Sequence, residues 1–523
     1  MSAAAGALPA RREAAVARLP EWWPLLALTA LAAVLRLTTL GMQSFWFDEA
    51  FTPLHVLHPS LFTTLEWVPK TENSPPLWYL LEWFDYRLFG TSEFALRLPS
   101  ALAGIALVPV AWALARELAD RAAAIACAAL VTVGPLFVWY SQEARAYGLF
   151  MFTTGLAMLA FVRVLREPSG RRLALFAGAG ALCLLSHYFA VFILAGMAAW
   201  LLADPRTRRR ALPALAAIGL VGLALAPLIS AQGGRGTQWI GEWALKERIE
   251  LIPDYYLAGY SGGRFGHSIE ALIGLPLAAA TALGAWRMWR TRPAAAATEQ
   301  GGSGPGAPDA AEDPLTRRRQ AVWVTFVVTA AGVLIPLVLA LGGADYLAPR
   351  NLVGAMVPFS ALVAVLATWP ARRDAIGPAL LVIALMALLA VTLTVDFDGR
   401  YQRGNWKGVV RHLPAGNRRA VVINELGSAP MRYYTPGLEA LHSSGSVRVK
   451  EIVMAGEEPI RPSAATPPAP GFRLAEKIGY TGLIALRFVS RTPQVVSVRT
   501  LRDRNITLQH GIVLAPESVR TAR

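Results

Sequence analysis

The sequence predicts an all-α polytopic membrane domain followed by a small C-terminal α/β domain outside the bilayer. Three observations carry this expectation. Of 523 residues, 54% are hydrophobic and only 16% charged, whereas soluble domains average about 25% charged. Eleven apolar stretches approach or exceed the length needed to cross about 30 Å of hydrocarbon. After residue 395 the composition changes, and no membrane-length run follows. The mean hydropathy of +0.41 agrees with a chain whose core is built in lipid.

The segment 1–21 carries Arg11, Arg12 and Arg18 ahead of the first apolar run and reads as a cytoplasmic N-terminus. No small-x-small cleavage site follows that run, so it is expected to stay as the first membrane helix. The membrane domain then occupies 22–395. Its runs fall at about 22–41, 93–115, 122–140, 146–164, 172–187, 188–203, 211–229, 268–286, 321–341, 351–369 and 376–395. The fifth and sixth form one apolar stretch, divided here at Ser186-His187-Tyr188. With the N-terminus inside, the inner segments and helix ends hold 21 Lys and Arg and the outer loops 8. That asymmetry is the positive-inside pattern. The first outer loop spans 42–92, and an inner linker spans 287–319. Residues 291–316 of that linker are rich in Ala, Gly and Pro and are expected to be flexible.

The tail, 396–523, contains a helix-like stretch from Asn405 to Leu413 and strand-like stretches at Ala420–Asn424, Val447–Met454, Leu483–Val489 and Gln494–Val498. An odd number of crossings puts this domain on the outer face. The net charge of +15 comes from arginine runs such as Arg208-Arg209-Arg210, Arg317-Arg318-Arg319 and Arg372-Arg373 in loops between apolar segments. Such runs set topology, and no recognition module for nucleic acid accompanies them. Cys127 and Cys183 both lie inside apolar runs, so neither a disulfide framework nor a cysteine zinc site is supported.

Polar groups gather at the outer helix ends. Asp48 and Glu49 follow three aromatic residues just beyond the first run. Two carboxylates at the hydrocarbon edge are costly unless they meet a cation, a metal or a substrate proton. A solvated turn is the plain alternative, and only one of two consecutive side chains need face a site. Asn73-Ser74-Pro75-Pro76 breaks the chain before an amphipathic stretch, Leu77–Phe89, expected to lie along the interface. Glu143, Arg145 and Tyr147 cap the outer end of the third run, where Glu143 and Arg145 could simply neutralise each other. His187, as a ligand or as an ordinary turn residue, sits at the tip of the fifth and sixth. Tyr346 and Arg350 occupy the junction of the ninth and tenth, where Arg350 suits either a phosphate ligand or a headgroup anchor. Together these groups can line one outer cavity suited to chemistry on a lipid-linked phosphate.

Several blocks also resemble a known family. They are Phe45-Trp-Phe-Asp48-Glu49-Ala, Ser74-Pro-Pro-Leu-Trp-Tyr, Leu88-Phe-Gly90, Arg97-Leu-Pro-Ser100, Gln142-Glu-Ala-Arg145-Ala-Tyr147, Ser186-His-Tyr188, Tyr346-Leu-Ala-Pro-Arg350 and Asn405-Trp-Lys407. In this order they resemble the polyprenyl-phosphate-sugar-dependent membrane glycosyltransferases of the GT-C fold. The branch is that of protein mannosyltransferases and aminoarabinose transferases, glycosyltransferase family 39. The resemblance implies a GT-C membrane domain that moves one sugar, hexose or pentose, from a polyprenyl-phosphate donor to a hydroxyl of a cell-envelope acceptor. It implies that Asp48, with Glu49 beside it, supplies the general base. Arg145, Arg350 and Tyr346 are then candidates for the donor phosphate, with Glu143, Tyr147 and His187 shaping the site. A divalent metal ion is the cofactor the resemblance raises, with no ligand set assigned. The implied location is the plasma (inner) membrane, with the C-terminal domain extracytoplasmic. A lipid or solute transporter is the competing class; it would be expected to show midplane polar residues, interrupted helices and paired repeats, and none of these is clear in the sequence.

Overall fold

A computed structural model describes residues 20–234, 237–260, 262–291, 313–370, 374–413, 418–441, 445–457, 460–480, 482–507 and 509–521. The N-terminal arginines, most of the Ala/Gly/Pro-rich linker and Arg372-Arg373 lie outside the described residues. Helices run α1 (Trp23–Leu37), α2 (Phe47–Phe51), α3 (Leu61–Thr71), α4 (Leu77–Phe89), α5 (Glu93–Leu118), α6 (Arg121–Val133) and α7 (Pro135–Ser141). They continue as α8 (Tyr147–Arg166), α9 (Gly170–Ser186), α10 (Ala190–Ala203), α11 (Arg208–Gln232), α12 (Gln238–Glu242), α13 (Leu245–Ala258) and α14 (Gly262–Phe265). The last membrane-domain helices are α15 (His267–Arg290), α16 (Pro314–Leu341), α17 (Met356–Ala367) and α18 (Ile376–Phe397). A tight 3-10 stretch, Pro349–Ala355, leads into α17.

Every expected apolar run is helical. Among the described residues seven helices are long and apolar enough to cross a membrane, and the bent α6–α7 pair would make an eighth. Helices α1, α9 and α10, of 15, 17 and 14 residues, span only about 21–26 Å at 1.5 Å per residue. The expectation of eleven crossings therefore stands here as eleven helical runs. Two are joined only through the turn at His187-Tyr188, where α9 ends and α10 begins.

The bend within the third run has a local cause and a long-range remedy. Gly134-Pro135 interrupts the helix, and α6 and α7 meet at 55°; Pro135 has no N–H to offer Val131. Arg36, fully buried on α1, donates to the carbonyls of Val131 at 2.9 Å and Thr132 at 3.1 Å. It also donates to Ser141 Oγ at 3.1 Å. From α18, Thr392 Oγ1 donates to Val133 O at 2.8 Å. Carbonyls that lipid could not satisfy are thus capped by side chains from two other helices.

The outer loop 42–92 is itself helical. Ser60 caps α3 through Thr63 N, and Pro76 starts α4, whose apolar side leaves Leu81, Phe84, Leu88 and Phe89 exposed as an interfacial helix would. The C-terminal unit contains α19 (Trp406–His412), capped by the Asn405 side chain on Gly408 N at 2.8 Å, α20 (Glu425–Tyr434) and α21 (Val498–Asp503). Its strands are β1 (Arg419–Asn424), β2 (Glu439–Ala440), β3 (Ser446–Glu457), β4 (Arg473–Tyr480), β5 (Leu483–Ser497) and β6 (Gly511–Ala515). They form one sheet in the order β2-β6-β1-β3-β5-β4, with β1 and β3 parallel and the remaining pairs antiparallel. The two strands expected at 483–489 and 494–498 are one strand. Pro493 falls where the β3–β5 register shifts, so its missing N–H breaks no ladder bond, and Val498 opens α21 instead. Strands β2, β4 and β6 escape a pattern reading because β2 is two residues long, β4 is rich in charge and β6 is a five-residue run near the chain end.

The C-terminal unit is bolted to the outer loop. Tyr434 OH receives the Phe45 N–H at 2.8 Å and donates to Glu93 Oε1 at 3.0 Å, while Lys407 Nζ meets Glu93 Oε1 at 2.6 Å. Ser44 Oγ donates to Gly404 O at 2.8 Å.

Replacing Arg36 by Leu leaves the bend carbonyls unsatisfied and is expected to destabilise the protein by about 2–4 kcal/mol. Thermal unfolding of the detergent-purified protein measures this. An unchanged midpoint would mean that the bend needs no arginine.

Candidate functional site

A cavity of about 1410 Å³ lies between the outer helix ends, residues of the stretches 233–234 and 237–260 with Arg264, and the C-terminal unit. Asp48, Arg145, Tyr147, His187, Tyr346 and Arg350 all line it, so the structure brings together six of the eight residues singled out in the sequence. Leu184, Val191, Phe192, Leu225, Ile229 and Leu339, from α9, α10, α11 and α16, add an apolar wall.

The paired carboxylates part company on the five-residue helix α2, where successive side chains point about 100° apart. Asp48 faces the cavity and accepts from Arg350 Nη1 at 2.9 Å. Glu49 turns inward and is fully buried. Arg97 grips both its oxygens, at 2.7 and 2.8 Å, and the Ala144 N–H donates to it at 2.9 Å. The same guanidinium donates to the carbonyls of Leu40, Gln43 and Ser44, fixing the turn that leaves α1. Burial raises the proton affinity of Glu49, but Arg97 and Arg403 outweigh it and hold the carboxyl below the usual range. The expectation of a catalytic Glu49 is corrected accordingly: a saturated carboxylate absent from the cavity wall cannot reach substrate.

Glu143 also lies off the cavity wall. Arg403 Nη2 donates to its Oε2 at 2.9 Å and Trp139 Nε1 at 3.2 Å. Burial, opposed by Arg403 and reinforced by Glu49, raises its pKa. Glu143 and Arg145 do not neutralise each other, because each finds another partner. Arg145 Nη1 donates to Glu72 Oε2 at 3.0 Å and to the Asp48 carbonyl at 3.4 Å. Glu143 acts on the site indirectly, since Arg403 lies 4.0 Å from the Trp139 ring and Trp139 stacks on the cavity residue Tyr260 at 5.0 Å.

His187 stacks on Phe150 at 4.7 Å, and its Nδ1 accepts the Phe189 N–H at 3.2 Å. Burial first, then Arg145 and Arg350, push its pKa down to about 3. It is a neutral wall residue rather than a charged one. Tyr147 packs against Tyr140 and His187. Tyr346 is half exposed at the cavity rim. Arg350 has the Trp239 ring 4.7 Å away on another side.

Sequence reasoning missed several wall residues. Glu72 pairs with Arg145 and accepts from Tyr79 OH at 2.5 Å; it immediately precedes the Asn73-Ser-Pro-Pro block, which was a usable signal. Gln232 ties α11 to the first loop through the carbonyls of Val68 and Ser74. Trp239, Trp243, Tyr255 and Tyr260 come from an outer segment whose aromatic density marked it out. Glu425 and Gln509 reach the cavity from the C-terminal unit. Among the described residues no three His, Cys, Asp or Glu side chains converge as a metal site would require. Of the carboxylates lining the cavity, Asp48 and Glu72 face guanidinium groups, and Glu242, Asp254 and Glu425 form no cluster with them. This donor set does not fit a divalent ion, and no step below passes through one.

Residues 73–230 match the family model described as dolichyl-phosphate-mannose-protein mannosyltransferase. The crystal structure of ArnT from Cupriavidus metallidurans bound to undecaprenyl phosphate superposes with a TM-score of 0.54 at 10% identity, covering 89% of this chain and 98% of that one. Its apo form gives 0.53 at 11% identity, covering 88% and 97%. By fold, the chain is similar to the GT-C membrane glycosyltransferases. The protein O-mannosyltransferase Pmt1-Pmt2 complex of S. cerevisiae shares 18% identity over 41% of this chain and 34% of that one, with a TM-score of 0.33. No curated protein sequence matches.

Beside the site, α4 buries Glu82 completely and Asp85 nearly so. Both Glu82 oxygens and Asp85 Oδ2 are without hydrogen-bond partners. Burial raises Asp85 from 3.8 to about 6, and burial with Asp85 and Glu49 nearby raises Glu82 well above its ordinary range. A carboxyl whose folded pKa is raised stabilises the fold below its unfolded pKa, and that contribution is lost as pH rises through the folded value. Asp85→Asn should therefore gain stability relative to wild type as pH rises from about 4 to about 7. Parallel thermal melts across that range test it, and a constant difference would rule out a raised Asp85 pKa.

Proposed function

We propose that this protein is a glycosyltransferase that moves a hexose or pentose from a polyprenyl-phosphate donor to a hydroxyl of a cell-envelope glycolipid, polysaccharide or protein. The observation that carries the reading is Asp48 on the wall of a cavity beside two arginines, with an apolar wall contributed by membrane helices. Arg145 and Arg350 hold the donor phosphate, with Tyr346 at the rim, while the isoprenoid tail lies against the apolar wall. Tyr147 and His187 shape the pocket around the sugar.

The acceptor oxygen attacks the anomeric carbon, and its proton passes to Asp48. The bond from that carbon to the phosphate oxygen breaks, and its electron pair leaves with polyprenyl phosphate. The arginines stabilise the charge that develops there, which is where preorganised cations contribute most. Asp48 suits the base role because its partner Glu49 is immobilised, so the short helix α2 holds the carboxylate in one place. The ArnT structure contains undecaprenyl phosphate, which supports a donor of that class here. The excess of inner basic residues supports a plasma-membrane orientation with the N-terminus cytoplasmic and the C-terminal unit outside.

The test is transfer of label from a radiolabelled polyprenyl-phosphate sugar in membranes containing the protein. Asp48→Asn keeps the shape and removes the base, so transfer should fall by about 10²–10⁴-fold while donor binding persists. Retention of more than half the transfer would remove Asp48 from this role. Accumulation of label inside sealed vesicles without transfer would favour a transporter.

A further inference from the structure

The reaction makes separate demands on two groups that the structure binds to each other. Asp48 must offer a lone pair to the acceptor hydroxyl, and Arg350 must hold the donor phosphate. Yet Arg350 Nη1 donates to Asp48 Oδ2 at 2.9 Å, joining positions 302 residues apart. Both side chains keep 20% exposure, on the wall of the cavity. The adjacent Glu49–Arg97 pair, at 0% and 1%, is sealed and built to last. A pair that faces the cavity is open on one side, unlike the sealed one, and any anion entering the cavity competes for its cation.

We propose that the Asp48–Arg350 pair is a latch opened by the donor phosphate, so that the donor binds before the acceptor hydroxyl can be deprotonated. This rests on the reading of the cavity as a polyprenyl-phosphate-sugar site. Phosphate matches the planar fork of a guanidinium in bidentate fashion, and two anions on one guanidinium repel. Each therefore weakens the other's hold on Arg350, and the coupling is reciprocal. Arg145 does not replace Arg350 on the Asp48 carboxylate. Its Nη1 is engaged by Glu72 at 3.0 Å and reaches only the Asp48 backbone carbonyl, at 3.4 Å. Trp239, 4.7 Å from the guanidinium, gives Arg350 a face on which to swing between the carboxylate and the phosphate. A carboxylate that loses its cation and gains an anionic neighbour takes up a proton more readily. Asp48 becomes an effective base only when the donor is in place.

The latch makes a counterintuitive prediction, because the substitution that abolishes transfer should tighten donor-site binding. Undecaprenyl phosphate is titrated against the detergent-purified full chain at fixed salt, for wild type, Asp48→Asn, Arg350→Ala and the double variant. Removing the internal competitor should lower the Kd by about two- to fivefold, and the gain should vanish in the Arg350→Ala background. Asp48→Ser must show the same gain, so that one poorly folded variant does not decide the matter. If wild type binds and both Asp48 variants bind equally or more weakly, the latch is wrong and the donor reading stands. If wild type binds no undecaprenyl phosphate, the donor reading fails and takes the latch with it.

Discussion

The buried carboxylate of Glu49 is the interaction on which the outer half of the molecule depends. Arg97 clamps it with two hydrogen bonds, the Ala144 N–H adds a third, and Arg403 approaches to 3.6 Å. Arg403 in turn holds Glu143. Two acids and two guanidinium groups from α2, α5, the α7–α8 junction and the linker to the C-terminal unit thus share one desolvated cluster. Such a cluster contributes little net stability, because desolvation consumes most of the Coulombic gain. Losing one member strands a buried charge at about 3–5 kcal/mol, which penalises any arrangement of the four segments that leaves one of these groups unpaired.

That constraint fixes the short helix α2 within the first outer loop. Glu49 anchors α2 to the protein interior, and Asp48, one residue earlier, is thereby aimed at the cavity. Arg97 also binds three carbonyls of the chain between α1 and α2, so the approach to Asp48 is fixed as firmly as the residue after it. The C-terminal unit joins the same scheme, since Arg403 leads into it, Tyr434 holds Phe45 N, and Glu425 and Gln509 close the cavity. Membrane domain, loop and outer unit are therefore one machine rather than a carrier and a passenger.

Much of this was legible in the sequence. Apolar length alone located all eleven membrane-domain runs, and the break at Ser186-His187-Tyr188 is real. Six residues at helix ends converge on one cavity because helix ends on one side of a membrane are confined to a thin layer. Partner choice was not legible. Glu143 and Arg145 are two positions apart, yet Glu143 pairs with Arg403 and Arg145 with Glu72, at separations of 260 and 73 residues. Local spacing carries no information about such pairs. Glu49 could not be told from Asp48 either, since only the fold shows which side of a five-residue helix is buried. Arg36 was invisible for a related reason: its partners are carbonyls, which every sequence has everywhere.

If buried Glu49 holds Asp48 in place, the most direct measurement is single-turnover sugar transfer by Glu49→Gln, counted per donor-bound molecule so that loss of folded protein does not enter. At least about a tenfold fall in that rate is expected if Asp48 is the base, because small displacements of a reacting group cost this much or more, with donor affinity close to wild type. A wild-type rate per donor-bound molecule would contradict it, and would leave Glu49 as a fold-stabilising pair with no bearing on the chemistry.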